Sequence, residues 1–257
     1  MPKTKTLTLL FIAVLTAGLV KTGLAGDCAA PPPGAKGYSV IGDAFDASGK
    51  WLYSERLVYQ HADNGGQLTT LYSLPDNTPL AIKEVDFICN PTSPEFILTD
   101  LETGYVEGVQ RITEENQVFS YQGDIKEKLD VPDGINIFDA GFDNTIKLHW
   151  DTLISGESLK VNYLFARDNK FLTLRLKKSE LPESIDLNAN PGDVFFRISA
   201  NNLIFRMLSR PLFVGYDQDT RTLKYYAGPS NLPMMEEEKK ILIRYRNSEP
   251  LTAQQES

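Results

Sequence analysis

The chain has 257 residues, 42% of them hydrophobic and 23% charged, with 26 Lys+Arg against 34 Asp+Glu and a net charge of −8. An aromatic content of 10% argues against disorder, two cysteines are too few for a disulfide-dense scaffold, and the acidic balance argues against a nucleic-acid binder. Two histidines leave little material for a multi-histidine zinc centre.

Residues 1–25 read as a cleaved secretory signal. Lys3 and Lys5 form a basic start, Leu7 to Val20 is an apolar run, and Gly23-Leu24-Ala25 offers small residues for cleavage. The run falls short of the roughly 20 apolar residues that cross a bilayer. Leu24-Ala25-Gly26 would complete a lipobox only if cysteine followed, but Asp27 follows and the cysteine is Cys28. Removing Lys3, Lys5 and Lys21 takes the charge from −8 to −11, which repels anionic lipid and nucleic acid. No stable membrane insertion is therefore expected after cleavage. The sequence has no Asn-x-Ser/Thr acceptor, since proline disqualifies Asn90-Pro91-Thr92, and this favours a bacterial periplasm. Residues 26–36 form a Pro-rich leader, 37–246 one β-rich domain and 247–257 a polar tail. In an oxidising compartment Cys28 and Cys89 form the one available intramolecular bridge; otherwise both are free thiols and Cys89 is a small core residue.

From Gly37 the chain alternates between strand patterns and turn chemistry. Strands are expected at 38–45, 51–60, 67–74, 80–88, 95–100, 104–113, 117–122, 157–167, 170–178, 193–199, 212–217, 222–227 and 240–246, separated by Pro, Gly, Asn and Asp. In 51–59, Trp51, Tyr53, Glu55, Leu57 and Tyr59 share one face, and neither face is uniformly polar. Hairpin-length links predict one long antiparallel meander, and a sheet of that width curls into a partial barrel. One or two short helices should cover its concave face. Residues 143–154 begin with Asp143 as N-cap and align Ile146, Trp150, Leu153 and Ile154. Residues 202–209 are apolar nearly all round, hence buried against the sheet. The stretch 179–192 is acidic, Pro-bearing and irregular, as expected of a surface loop or a long hairpin excursion.

Few groups suggest chemistry. A hydrolase would use His149 as base with Asp139 or Asp143 as its orienter and a serine such as Ser155 or Ser209 as nucleophile. Asp151 cannot serve, because residues two apart on a helix point about 200° apart. No nucleophile elbow, phosphate-binding loop or dinucleotide fingerprint occurs, so no cofactor and no metal are expected. Asp217 and Asp219 look like a hairpin turn with Arg221 offsetting the acids, not a calcium loop. Strand aromatics are mostly core. Yet Phe195-Phe196 and Tyr225-Tyr226 put one ring on each face, so one of each pair must be covered on the less obvious side. Trp150, Phe196, Phe205 and Tyr226 are the candidate ligand-binding set in an incompletely filled concavity.

The segments GDAFDASGKWLYSERLVYQ, AIKEVDFICNPTSPEFILTDLETGYVEGVQR, NIFDAGFDNTIKLHWDTLISGESLKVNYLF and VGYDQDTRTLKYYAGPSNL together resemble a family of uncharacterised exported proteins of Gram-negative bacteria. That resemblance covers most of the chain after the signal and implies no catalytic residue. More loosely, long meandering strands with a short covering helix are similar in architecture to the half-barrel carriers that ferry lipoproteins across the periplasm, with no motif in common. The expected function is non-enzymatic: an exported protein that holds an apolar, lipid-like or amphipathic ligand, or an envelope partner. Intact-mass measurement of protein recovered from the periplasm should give a chain lacking residues 1–25, gaining about 2 Da when the single bridge is reduced to two thiols. A full-length mass, or no gain on reduction, would refute the respective assignment.

Overall fold

The computed structural model describes residues 38–62, 65–87, 90–112, 117–123, 125–200, 211–230, 232–235 and 240–247. The expected signal and leader, Cys28, Cys89, the expected helix 202–209 with Phe205 and Ser209, and the expected tail beyond Asn247 lie outside the described residues. The strands are β1 (Tyr38–Phe45), β2 (Trp51–Ala62), β3 (Gly65–Ser73), β4 (Pro79–Asp86), β5 (Glu95–Asp100), β6 (Val106–Ile112), β7 (Gln117–Gln122), β8 (Ile125–Lys128), β9 (Asn136–Phe138), β10 (Ser158–Phe165), β11 (Lys170–Lys178), β12 (Val194–Ala200), β13 (Leu212–Tyr216), β14 (Leu223–Gly228) and β15 (Ile241–Asn247). Every strand expected from alternation is present to within a few residues at its ends. β8 and β9 are additional: β8 has a single apolar residue, Ile125, and β9 has only three residues.

All fifteen strands belong to one sheet, ordered β8-β7-β6-β5-β4-β3-β2-β1-β15-β14-β13-β12-β11-β10-β9. Its pairings are antiparallel except β9, which adds parallel to β10. A single meander would leave β1 at an edge. Instead β1 pairs with β2 on one side and β15 on the other, so two meanders grow outward from a seam between the first and last strands.

Connectivity then dictates the curl. Fourteen strand spacings of about 4.8 Å would hold the edges β8 and β9 about 67 Å apart in a flat sheet. Residues 129–135, which join those two edges, reach at most about 25 Å. The edges must therefore approach each other. The 3-10 turn Ala166–Asp168 bridges them: Arg167 Nε donates to Glu107 Oε2 on β6 at 3.0 Å, and Asn169 Nδ2 donates to Glu127 Oε2 on β8 at 2.6 Å. Leu129, at the start of the link, is buried with Phe96, Val109, Phe138 and Leu164. The result is a curved, unclosed sheet.

Two helices, α1 (Gly141–Leu148) and α2 (Trp150–Ile154), pack into the concavity, separated at His149. The expected stripe is the buried one: Ile146, Trp150 and Leu153 join Val161, Leu176, Phe196, Ile198 and Tyr216 in one core, with Ile154 at its margin. Trp150 meets Phe196 and Tyr216 edge-on at 5.5 and 5.8 Å. Asp143 is not the N-cap; Ala140 holds that position without a side-chain bond. Asp143 instead accepts the hydroxyl of fully buried Tyr216 at 3.0 Å and a bond from Lys147 at 2.7 Å. A buried phenol without a partner is costly, and this demand outweighs capping.

On the convex side, Leu181, Ile185 and Leu187 from the irregular 179–193 stretch cover Phe195, Phe213 and Tyr225. The stretch is a long hairpin excursion between antiparallel β11 and β12, and it supplies the cover that the paired rings require. Arg221 also departs from expectation. It lies 3.5 Å from Asp151 and over the Trp150 ring, while Asp217 closes its own turn through the backbone N–H groups of Asp219 and Thr220.

The start of α1 is clamped to the β4–β5 link. Phe138 N–H donates to the Thr92 carbonyl at 3.1 Å, Asn144 Nδ2 to that of Pro91 at 3.0 Å, and Arg111 to that of Ser93 at 2.6 Å. A Cβ on Gly141 would stand 2.0 Å from the Thr92 oxygen, so only glycine admits this approach. Gly141→Ala should lower unfolding free energy by about 1–3 kcal/mol in denaturant titration. Wild-type stability in this variant would refute the clamp.

Candidate functional site

Directly paired residues share a face, so the ladder register traces the concave surface row by row. One row runs Phe196, Val214, Tyr226, Ile243, Ala44, Tyr53, leading from the helix-covered core to β2. The next runs Tyr245, Gly42, Glu55, Tyr72, Ala81, Asp100. A third runs Val40, Leu57, Thr70, Lys83, Leu98, Glu107. Trp51 leaves this face at the register shift between Ala44 and Phe45 and is 42% exposed.

Two of these rows bury charge. Lys83 on β4 is 6% exposed, with its Nζ 2.8 Å from Asp139 Oδ2 and 3.2 Å from Oδ1. Asp139 follows edge strand β9 with φ +40°, a left-handed conformation that Asp tolerates better than most residues. That turn carries its carboxylate across the concavity to the opposite wall. Burial alone would lower the Lys83 pKa, but the Asp139 carboxylate, joined by Tyr72 and Glu55, more than offsets it and holds the ammonium well above its usual range. Removing one partner of such a pair costs about 3–5 kcal/mol, because the other charge stays buried.

Glu55 on β2 is 5% exposed and forms no salt bridge among the described residues. It accepts a hydrogen bond from the Tyr245 hydroxyl at 2.5 Å, from β15, two strands away. Gly42 on the intervening β1 makes this reach feasible: a Cβ there would lie 2.6 Å from Tyr245 Cε1 and 2.9 Å from Ile243 Cγ2. Burial pushes the Glu55 pKa up, against the opposing pull of the Tyr245 bond and of Lys83. Tyrosines surround the carboxyl. Tyr53 and Tyr72 pack edge-on at 6.1 Å, and burial moves both phenols upward, Tyr72 to about 12. Tyr226 donates to the Pro229 carbonyl at 2.7 Å. Thr70, 2% exposed, has an Oγ1 without a hydrogen-bond partner.

The sequence-derived site residues meet different fates. Trp150 and Phe196 are consumed in the closed core and line no open groove, because the helices fill that end of the concavity. Tyr226 faces the concave side, half-buried, beside the charged rows. His149 ends α1 and forms no hydrogen bond with Asp139 or Asp143, whose carboxylates are taken by Lys83 and by Lys147 and Tyr216. Among the described residues no cluster of three His, Cys, Asp or Glu is placed to hold a metal, and no helix is long and apolar enough to cross a membrane. Two surface depressions, of about 590 and 640 Å³, lie elsewhere: one beside 178–181 and 192–195, the other over β3 to β6 near β8. Neither contains Trp150, Phe196 or Tyr226. Sequence reasoning missed Glu55 and Lys83, and it gave Asp139 a different role, as an orienter of His149. Its one available signal was an acid on the aromatic face of β2.

No family model matches the chain, and no curated protein matches it. Among solved structures, the chain is similar to a β-barrel-like protein of the domain of unknown function DUF1849 from Brucella abortus. Sequence identity is 9% and the TM-score 0.47, over 84% of this chain and 98% of that one.

A carboxyl whose pKa is higher folded than unfolded favours the native state at low pH, and this contribution is lost as pH rises through the folded value. Glu55→Gln removes that loss while keeping an acceptor for Tyr245. The stability of the variant relative to wild type should therefore increase as pH rises above the ordinary carboxyl range, in parallel denaturant titrations. A difference independent of pH would refute the assignment of Glu55 as a buried, unbalanced acid.

Proposed function

We propose that the protein is an exported, non-enzymatic binding protein whose curled sheet holds an apolar or amphipathic ligand against its concave face. The observation that supports this reading is the set Leu57, Tyr59, Tyr163, Leu172, Tyr226 and Tyr245: concave-side residues that stay half-buried, in rows whose other members are almost fully covered. Apolar surface left uncovered within a concavity is what a ligand site requires. Phenol hydroxyls among these residues, with Glu55 and Lys83 beside them, suit a molecule with one polar end.

An envelope partner adding to the sheet edge is the weaker alternative. Edge strand β8 is IKEK with every residue exposed, and lysines on an edge discourage strand addition. The hydrolase alternative has no observation in its favour, since both candidate orienters of His149 are engaged elsewhere. Protein purified from its native periplasm should carry an extractable ligand by native mass spectrometry, and the stripped protein should bind an apolar fluorescent dye at one saturable site. If no ligand copurifies and no dye binds, the proposal fails.

A further inference from the structure

We infer that Glu55 and the tyrosine rings around it form a subsite for a cationic amine, a primary or quaternary ammonium, at the polar end of the bound molecule. This rests on the concave face being the binding site, and it names the chemistry recognised there.

The inference starts from a local charge count. Lys83 and Asp139 neutralise each other at 2.8 Å, which leaves Glu55 as the unmatched acid of the cluster. Its Oε1 accepts from Tyr245. A buried carboxylate without a counter-charge is unfavourable, and a ligand cation supplies the missing one. Thr70 is the second observation. It is nine-tenths buried, stands one position from Tyr72 on the same face and directly opposite Lys83, and its Oγ1 is unpartnered. That hydroxyl can accept from an ammonium N–H or donate to a neighbouring ligand oxygen.

The aromatic surroundings point the same way. Tyr53, Tyr72, Tyr226 and Tyr245 are all within electrostatic reach of Glu55. Rings around an acid attract organic ammonium groups through the negative faces of their π systems. An anionic head would meet Glu55 and Asp139, and Lys83, the cation nearest Glu55 among the described residues, is already matched. A neutral head would leave the Glu55 charge uncompensated. The charged and titratable groups facing Glu55 are Lys83, Asp139 and these four tyrosines. Burial holds the four phenols above their usual range, so below alkaline pH they add no charge beside Glu55. Burial raises its pKa in the free protein; an ammonium arriving beside it reverses that shift, and a proton leaves.

Three probes of equal chain length test this below their micellar concentrations: decyltrimethylammonium, decyl sulfate and decyl maltoside, titrated calorimetrically into the mature protein. The cation should bind at least tenfold more tightly than either other probe, with a preference that grows from pH 5 to pH 8. In Glu55→Gln the ratio of cationic to neutral affinity should fall close to one. Glu55→Met serves the same purpose should the amide variant not fold, and the wild-type pH profile needs no variant. Equal binding of all three probes, or a preference for the sulfate, would overturn the amine subsite and leave the binding function standing. Binding of none would overturn both.

Discussion

Seven residues between the two edges of a fifteen-stranded sheet constrain everything else in this molecule. A link that short cannot cross a flat sheet, so the sheet curls until β8 and β9 are near neighbours. Once curled, the sheet has an inside. The inside must be filled with side chains, helices or a ligand. The side chains that span the gap, Arg167 to Glu107 and Asn169 to Glu127, hold the edges close without joining them in a ladder. Asp139, at the end of the same crossing, reaches Lys83 on the far wall.

Filling of the interior is uneven. At one end, α1 and α2 bring Ile146, Trp150 and Leu153 against β10 to β13, and this end is ordinary close-packed core. Beside it, the walls near the seam carry Glu55, Lys83 and the tyrosines. The seam itself is the least local contact in the fold, because β1 and β15 lie about two hundred residues apart in sequence. Its register places Gly42 between Glu55 and Tyr245, and the missing side chain at Gly42 lets the phenol cross the strand to the acid. The hydrogen bond to the buried acid therefore depends on the two halves of the chain meeting correctly.

Much of the fold was legible in the sequence, for a physical reason. Alternation with period two and turn residues between runs are local signals, and they located the strands of both meanders. The stripe Ile146, Trp150, Leu153 was legible because helix period and apolarity agree. The paired rings Phe195-Phe196 and Tyr225-Tyr226 correctly implied a sheet covered on both faces. What escaped had no local signal. β8 and β9 are strands only because a neighbour pairs with them, and Asp143 left its capping role because Tyr216, 73 residues away, needed an acceptor. The charged cluster was hidden for the same reason. Glu55 stood out as an acid among aromatics on β2, but nothing nearby in sequence said that Lys83 would share its face or that Asp139 would reach across to Lys83.

By itself, then, the sequence determined the β class, the strand boundaries, the covering helix and the scarcity of catalytic groups, because each depends on residue type and spacing within a dozen residues. The tertiary structure decided which strands became edges, which rings became core and which carboxylate was left without a counter-charge. Those outcomes depend on contacts between segments tens to hundreds of residues apart, where register and closure choose the partner. Trp150 shows the division plainly: its apolar stripe is local, but whether it lined a groove or sealed a core was settled by Phe196 and Tyr216 on strands that only the fold brings to it.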